Sequence, residues 1–274
     1  MLNETEVKYL AGLIDADGYI GYEFQNNRVT LRLQLSAAES IDKEGYVLKL
    51  PETTGFGSSH TKSKRVDEWA PVTVWVVQGR RDIEMLLPRL IKHMVIKGKH
   101  AQRMLDSWQE YRGKVLSDLT IEQLKQYKAV SRLDTGPVRD KKHPSWAWVA
   151  GYLDGDGSYM FSHPPSYKKP RLLVQATAHE NDRVGVDLLY KAFGGTLNNR
   201  GKTCPHILDW KHSLGVKDKD FAKDFLGKMV QHTKLKKHKI EQMLSYINGN
   251  YKGSHRLNEV PSTEEAIVGR VAAP

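Results

Sequence analysis

One acidic segment occurs twice in this chain of 274 residues, and that repeat constrains the fold more than any other feature. Residues 10–18 and 149–157 both place Ala-Gly inside an apolar run and then close it with Asp-x-Asp-Gly. The separation, 156 − 17 = 139 residues, is about half of the chain. A segment repeated at this distance predicts two similar units.

The same offset of 139 residues holds outside the repeated segment. Lys97 maps onto Lys236, and His93 maps onto His232. Apolar residues also recur at helical spacing before the first Asp of each segment, at Val7, Leu10, Ala11 and Ile14 and then at Trp146, Val149, Ala150 and Leu153. A fixed offset over this length indicates duplication of a whole folding unit rather than of a short motif.

Hydrophobic periodicity predicts one order of elements, αββαββα with an extra helix, in both halves. In the first half we expect helices over 4–15, 40–50, 81–93 and 98–111, and strands over 18–26, 28–35, 56–63 and 71–78. In the second half we expect helices over 143–154, 180–193, 218–230 and 235–248, and strands over 157–163, 170–177, 195–202 and 206–213. The predicted class is α+β with antiparallel sheets.

This order of elements also predicts how the chain divides. We expect an N-terminal unit over 1–112, a linker over 113–142 with a short helix near 119–130, a C-terminal unit over 143–251 and a peripheral tail over 252–274.

Charge and composition narrow the function classes. Lys and Arg total 42 against 32 acidic residues, and a net charge of +10 favours a polyanionic partner, although a basic protein without one stays open on charge alone. The single cysteine, Cys204, excludes a disulfide framework and a Cys-rich zinc site and suits a reducing, intracellular compartment. No apolar run approaches the roughly 20 residues of a membrane span, so no membrane partner is expected.

The repeated segment carries the candidate chemistry. A glycine inside a helix costs about 1 kcal/mol relative to alanine, which is tolerable where another backbone must approach closely. We therefore expect the two motif helices to pack together and to bring Asp17 and Asp156 to a shared centre. Two carboxylates that hold divalent metal can clamp both sides of a phosphodiester during hydrolysis. For Asp15 and Asp154 we expect a structural role instead, either solvated or hydrogen-bonded to backbone.

Residues 10–18 resemble, nearly letter for letter, the motif that defines the LAGLIDADG homing endonucleases, and residues 149–157 are similar to its usual variants. The spacing resembles that of single-chain, two-motif members, over roughly residues 4–250. The resemblance implies a monomer of two pseudosymmetric αββαββα units, with packed motif helices and saddle-shaped antiparallel sheets that cover the DNA major groove.

The same resemblance implies an activity and a cofactor. The expected activity is site-specific hydrolysis of one phosphodiester in each strand of a long, asymmetric double-stranded DNA target, leaving short 3′ overhangs. The expected cofactor is Mg²⁺, as two or three divalent ions for which Mn²⁺ or Ca²⁺ can substitute. By resemblance, Asp17 and Asp156 bind the metal together with the backbone carbonyls of Ala16 and Gly155, and Lys97 and Lys236 are catalytic.

Alternation along the strands predicts which side chains face DNA. In the second strand Val29, Leu31, Leu33 and Leu35 share one face, and polar residues share the other. The residues expected to contact DNA are Glu23, Gln25, Arg28, Thr30, Arg32, Gln34, Ser58, His60, Lys62, Thr73 and Trp75 in the first unit, and Ser162, Arg171, Gln175, Asn198, Arg200, Lys202, His206 and Trp210 in the second. Because the two sets differ, the predicted target is asymmetric.

Two other functions fit the same resemblance. One is an RNA maturase that assists splicing of its host intron, and the other is a DNA-binding protein of this fold that does not cleave. Both acidic motif residues, Asp17 and Asp156, are present, which favours cleavage. The sequence leaves open the target, the host element and the source, with organelle, bacterial and phage origins all compatible.

Overall fold

The structure is a computed structural model, and it describes most of the chain. The described residues are 2–25, 28–62, 70–111, 119–130, 134–138, 144–162, 171–179, 183–199, 207–214 and 219–249.

Both halves fold with the predicted order of elements, which confirms the α+β class. The first half contains α1 (Glu4–Asp17), β1 (Tyr19–Gln25), β2 (Arg28–Ala38), α2 (Leu50–Thr54), β3 (Ser58–Lys62), β4 (Val72–Val77), α3 (Arg80–Ile91) and α4 (Gly98–Tyr111). A short helix, α5 (Ile121–Val130), follows it. The second half contains α6 (Trp146–Asp156), β5 (Gly157–Ser162), β6 (Arg171–His179), α7 (Val184–Phe193), β7 (Thr196–Asn199), β8 (Ile207–Leu214), α8 (Lys219–Val230) and α9 (Lys237–Ile247).

The helix predicted over 40–50 is wrong. Turns occupy this stretch, because Asp42 accepts hydrogen bonds from the backbone N–H groups of Tyr46 and Val47 at 2.6 and 2.8 Å, and Gly45 adopts a positive φ of 66°. Helix α2 begins only at Leu50, with Pro51 in its first turn, where a missing N–H costs nothing.

Each half forms one antiparallel sheet of four strands. The strand orders are β1-β2-β4-β3 and β5-β6-β8-β7, so the two sheets have the same topology. The predicted alternation along β2 is confirmed: Val29, Leu31, Leu33 and Leu35 are buried, and the polar residues between them are not. Each sheet thus has one face on the hydrophobic core, and we call the opposite face its polar face.

Helices α1 and α6 pack against each other at the junction of the two halves. An added Cβ at Gly12 would lie 2.1 Å from the carbonyl oxygen of Trp148, and one at Gly151 would lie 2.0 Å from the carbonyl oxygen of Tyr9. Real side chains do not approach backbone this closely, so only glycine fits at either position. The predicted packing of the motif helices is therefore confirmed, with the glycines at the contact.

The glycines that end these helices act through space and not through special backbone angles. Gly18 and Gly157 are extended, with φ of −75° and −88°. A Cβ at Gly18 would lie 2.7 Å from the carbonyl oxygen of Ile14, and one at Gly157 would lie 2.4 Å from that of Leu153. At both positions the chain turns tightly from helix into strand because glycine has no side chain there.

Within the described ranges, none of the helices has both the length and the apolar character needed to cross a bilayer.

We expect Gly12→Ala and Gly151→Ala to lower the free energy of unfolding, each by about 1–3 kcal/mol or more, because the new methyl group would force two backbones apart. Denaturant unfolding monitored by circular dichroism measures this. Gly227→Ala in α8 is the matched control, since its Cβ would meet nothing within 4 Å, and it should be neutral or stabilising by up to about 1 kcal/mol. Equal stabilities for all three variants would contradict the packing argument.

Candidate metal centre and nucleic-acid interface

The two motif helices end next to each other, and each ends on an aspartate. Asp17 is the last residue of α1, and Asp156 is the last residue of α6. The Asp17 carboxylate crosses the helix contact, because its Oδ2 would lie 3.1 Å from a Cβ placed on Gly155. Two helix C-termini carry partial negative charge, and the two carboxylates add to it. This end of the helix pair therefore attracts cations.

A second pair of aspartates, one per unit, is buried and holds backbone in place. Asp15 is 1% exposed and accepts hydrogen bonds from the N–H groups of Val95 and Lys97 at 2.6 and 2.8 Å. Asp154 is also 1% exposed and accepts from those of Lys234, Leu235 and Lys236 at 2.8–3.2 Å. Each carboxylate thus fixes the turn before the last helix of its unit, which we call the Lys97 turn (residues 92–97) and the Lys236 turn (231–236).

Each of these buried carboxylates also accepts a hydrogen bond from the other unit. The Trp148 indole N–H in α6 donates to Asp15 at 2.8 Å, and the Tyr9 hydroxyl in α1 donates to Asp154 at 2.7 Å. Burial raises the pKa of both carboxyl groups, and these hydrogen bonds oppose the rise. Burial also raises the pKa of Tyr9 well above its ordinary value, so its hydroxyl keeps the proton it donates.

The two predicted catalytic lysines lie at equivalent places under the motif helices. The Lys97 ammonium donates to the carbonyl oxygens of Ile14, Ala16 and Gly18 at 2.7–3.0 Å. The Lys236 ammonium donates to those of Leu153, Gly155 and Gly157, at 3.2, 2.8 and 2.5 Å. Each ammonium has three donors, so each lysine neutralises the C-terminal end of its own motif helix.

The charges at this centre influence one another across the two units. Burial lowers the pKa of Lys236 to about 8, and nearby Asp154, Asp17 and Asp156 oppose that shift. Surrounding protein raises the pKa of Asp17, whereas Lys236 of the other unit and Lys97 of its own unit lower it. Asp17 thus responds to the lysines of both units, as expected for one shared centre.

The residues present suit a hard divalent cation. The carboxylates of Asp17 and Asp156 and the carbonyl oxygens of Ala16 and Gly155 are all oxygen donors, which Mg²⁺ prefers. A carbonyl oxygen carries two lone pairs, so bonding to a lysine leaves capacity for a metal ion. In the described part of the chain no three His, Cys, Asp or Glu side chains converge, so a metal here would depend on this mixed set and on water.

A segment between the units, residues 134–138, is hydrogen-bonded to the backbone at the Lys97 turn, and we call it the strap. The Gly136 N–H donates to the Ile96 carbonyl at 2.5 Å, and the Lys99 N–H donates to the Gly136 carbonyl at 3.0 Å. Gly136 has a φ of 131°, which favours glycine. A Cβ on Gly98 would lie 3.3 Å from the backbone nitrogen of Val138, whereas the equivalent residue of the second unit, Lys237, carries a full side chain.

The first sheet brings most of the predicted DNA-contacting residues to its polar face. Strand pairing aligns Glu23 with Thr30 and Gln25 with Arg28, and it continues through Arg32 and Gln34. Ser58, His60 and Lys62 of β3 share this face by their pairing with β4. Arg32 and Glu23 form an ion pair across the strands, which orients the guanidinium before any ligand is present. Tyr19 is 47% exposed, pairs with Gln34 and extends the polar face. The residues predicted from the sequence to contact DNA did not include it.

The prediction for Thr73 and Trp75 is wrong, because both lie on the core face of β4. Trp75 pairs with Leu35 and is 0% exposed, and its indole N–H donates to the Phe56 carbonyl at 3.0 Å. Thr73 is 5% exposed. Val74 and Val76 take the polar-face positions instead. Valines on both faces of this strand concealed its alternation from sequence reasoning.

In the second sheet, Ser162 pairs with Arg171, Gln175 pairs with Lys211, and Asn198 pairs with Asp209. Gln175 is only 6% exposed, so its access is less than predicted. Trp210 pairs with Ala176 along the strand register, and its contact with DNA stays a prediction. The predicted residues Arg200, Lys202 and His206 lie outside the described residues.

Comparisons with known proteins identify the architecture. The chain aligns with the LAGLIDADG meganuclease I-AabMI bound to uncleaved DNA at a TM-score of 0.63 and 14% identity, over 98% of this chain and 96% of that one. It aligns with I-LtrWI bound to target DNA at 0.60 and 15%, over 90% and 99%. It aligns with I-SmaMI bound to cleaved DNA at 0.59 and 16%, over 90% and 89%. The chain has the LAGLIDADG endonuclease fold.

Comparison of the sequence alone does not identify the family. No protein-family model matches the chain, and a search of curated proteins found no relative. A further I-SmaMI structure, at a TM-score of 0.53 and 16% identity over 91% of this chain and 98% of that one, holds an uncleaved DNA target in the presence of calcium ions. At these identities the likeness establishes the LAGLIDADG fold.

Two residues at the centre of this LAGLIDADG fold, Tyr9 and Trp148, were not singled out from the sequence. A signal existed, because the offset of 139 maps position 9 onto position 148 and both side chains bring a hydrogen-bond donor into an apolar helix. Buried donors of this kind generally have a partner. Their partners, Asp154 and Asp15, lie 145 and 133 residues away, which sequence spacing does not reveal.

The lowered pKa of Lys236 predicts a pH-dependent contribution to folding. Between about 8 and its ordinary value of 10.5, the unfolded chain keeps a proton that the folded chain has released. Stability therefore rises with pH in that window relative to a Lys236→Met variant, by up to about 3 kcal/mol.

Denaturant unfolding of both proteins in chelator, from neutral pH to 10.5, measures the difference between them. That difference should be constant below about pH 8 and should grow in favour of the parent above it. A difference that is flat throughout would show that Lys236 has the pKa of an exposed lysine.

Proposed function

We propose that this protein is a site-specific DNA endonuclease of the LAGLIDADG homing type. It binds a long, asymmetric double-stranded DNA target in the major groove and hydrolyses one phosphodiester in each strand, leaving short 3′ overhangs. It requires divalent metal, with Mg²⁺ as the cofactor. In this proposal residues 1–112 and 143–251 each address one half of the target, and residues 113–142 connect them.

The observation that carries the proposal is the pair of aspartates at the ends of the packed motif helices. Asp17 and Asp156 end two helices whose C-termini lie side by side, and Lys97 and Lys236 donate to the adjacent carbonyl oxygens of Ala16 and Gly155. The side chain of Asp17 is exposed at the end of its helix. An aspartate with a purely structural role in the core would be buried instead. The related structures solved with DNA support a nucleic-acid substrate and give no support to the intron-RNA alternative.

Phosphodiester hydrolysis needs an in-line water and stabilisation of the departing 3′ oxygen. Bound divalent ions would supply Lewis-acid activation of the water and charge neutralisation at the leaving oxygen. Asp17 and Asp156, with the carbonyl oxygens of Ala16 and Gly155, are the residues that would hold them. Asp15 and Asp154 keep the lysine turns fixed, so that no reorganisation is needed during the reaction.

The lysines contribute positive charge where the phosphates would lie. Lys97 and Lys236 donate to carbonyls at the rim of the centre, next to the two motif aspartates. A phosphate drawn to this rim would be stabilised by the nearby ammonium groups as negative charge develops. Because each unit carries one such lysine and one motif aspartate, the chain has one set of groups for each strand.

The polar faces of the two sheets are the proposed reading surfaces. Arg28 and Arg32 suit guanine, and Gln34 suits adenine, in the major groove. The ion pair with Glu23 orients Arg32, which favours a defined base contact over a general phosphate contact. The strands of the second sheet carry a different set of polar residues, including Arg171 in β6 and Lys211 in β8, so its half-site differs.

Cleavage of a randomised DNA-site library with Mg²⁺ tests the activity. We expect the parent protein to cut a selected target in both strands. We expect the double variant Asp17→Asn/Asp156→Asn to lose at least about a hundredfold in rate, because metal clamping supplies several kcal/mol. Strand-specific end labelling measures both cuts.

Binding of the same target in Ca²⁺ controls for folding and affinity, and the double variant should keep it. Asp224→Asn is the matched control, since Asp224 forms an exposed ion pair with Lys228 in α8. If the parent cuts no site while binding one specifically, the protein is a binding module. If the double variant cuts at the parent's rate, the roles given to the two aspartates are wrong.

The difference between the two polar faces predicts an asymmetric target. A palindrome built from either half of the selected site should be cut more slowly than the native site, because one mismatched base pair typically costs about 1–3 kcal/mol. Competition cleavage of the native site and both palindromes in one tube measures the ratio. Equal cutting of either palindrome would contradict distinct half-sites.

A further inference from the structure

Each lysine turn is held by its own unit and by one side chain from the other unit. Asp15 receives the Trp148 indole N–H, and Asp154 receives the Tyr9 hydroxyl. Positions 9 and 148 are equivalent under the offset of 139, so the two contacts are exchanged reciprocally between the halves.

We infer that Tyr9 and Trp148 are positioning residues for the catalytic lysine of the opposite unit. Tyr9, in the first unit, orients Lys236 through Asp154. Trp148, in the second unit, orients Lys97 through Asp15. The inference rests on the proposed endonuclease function, because only that function makes the two lysines catalytic. The hydrogen bonds that position the lysines do not depend on it.

The route from each aromatic residue to its lysine is short and buried. Trp148 and Val95 both donate to Oδ2 of Asp15, and the Lys97 N–H donates to Oδ1. The Asp15 carboxylate therefore connects helix α6 of the other unit to the backbone of Lys97. All the side chains on this route are almost fully buried, so water cannot replace a lost donor without entering the core.

The second route has the same form with more redundancy. Oδ2 of Asp154 accepts from Tyr9, Lys234 and Leu235, and Oδ1 accepts from Lys236. Without Tyr9, Oδ2 of Asp154 keeps two backbone donors. Without Trp148, Oδ2 of Asp15 keeps the Val95 N–H. The Asp15 carboxylate consequently depends more strongly on its cross-unit donor than the Asp154 carboxylate does.

Close helix packing makes the cross-unit contacts possible. The backbone atoms that touch Gly12 and Gly151 are the carbonyl oxygens of Trp148 and Tyr9. The residues whose side chains cross to the other unit are therefore those whose backbone lies nearest to it. Stacking of Trp148 on Tyr152, with ring centroids 5.1 Å apart and 7° between planes, fixes the indole in this orientation.

Hydrogen exchange on the metal-free full chain tests the inference without any DNA. The amides of Val95, Lys97, Lys234, Leu235 and Lys236 are the reporters, since all of them donate to the two aspartates. In Trp148→Phe, exchange in the Lys97 turn should accelerate about three- to tenfold while the Lys236 turn stays unchanged. In Tyr9→Phe, amide exchange in the Lys236 turn should accelerate instead, by a smaller factor.

Tyr22→Phe is the matched control. Its hydroxyl donates to the Met104 carbonyl at 2.8 Å within the first unit and does not contact either aspartate, so neither turn should respond. Equal acceleration of both turns in either aromatic variant, or acceleration of the turn in the variant's own unit, would overturn the inference. If Trp148→Phe fails to fold, Tyr9→Phe decides, since it removes a single oxygen atom.

Strand-specific cleavage of the selected target provides the second readout. Trp148→Phe should slow the cut made beside Lys97 more than the other cut, and Tyr9→Phe should do the reverse, with binding in Ca²⁺ unchanged. Lys97→Met and Lys236→Met identify which strand belongs to which lysine. If the parent cuts no target, the endonuclease proposal fails, and the exchange experiment still decides whether the crossed positioning exists.

Discussion

The rest of this structure depends on the distance between two helix backbones. Gly12 and Gly151 let α1 and α6 approach until carbonyl oxygens occupy the space where side chains would be. This approach places Asp17 against Gly155 and brings the acidic ends of both helices to one centre. A helix-interior glycine costs about 1 kcal/mol in propensity, and the buried contacts along the helix pair offset that cost.

Negative charge gathered in this way requires compensation. The ammonium groups of Lys97 and Lys236 lie under the helix ends and each donate three hydrogen bonds to carbonyl oxygens. Asp15 and Asp154 fix the turns that carry these lysines, so the two buried aspartates support the two aspartates at the helix ends through the lysines. The shell around the centre is thus buried and hydrogen-bonded, whereas Asp17 itself is exposed. Rigid support around an open acidic site is the arrangement expected where charge must be stabilised during a reaction.

Much of the fold could be predicted from the chain because duplication repeats the evidence. The offset of 139 located α1, α6, Lys97 and Lys236, and alternation located the faces of β2. Alternation failed in β4, where valines occupy both faces. The helix predicted over 40–50 gave way to Asp42 and Gly45, whose turn hydrogen bonds and positive φ are local effects that apolar periodicity does not contain. The links from Tyr9 to Asp154 and from Trp148 to Asp15 join residues far apart in the chain, so local sequence patterns do not contain them.

The reciprocal bonds also bear on how two halves of one chain can diverge. In a symmetric dimer of a single unit, one residue would make both cross-contacts, so any substitution would alter both lysine turns together. Fusion of the two units separates them, and this chain already uses tyrosine at one position and tryptophan at the other. The strap of residues 134–138 on the Lys97 turn adds a second difference between the halves. Joining the units therefore lets evolution adjust the two lysine turns independently, at a junction whose two helix glycines leave almost no room for change.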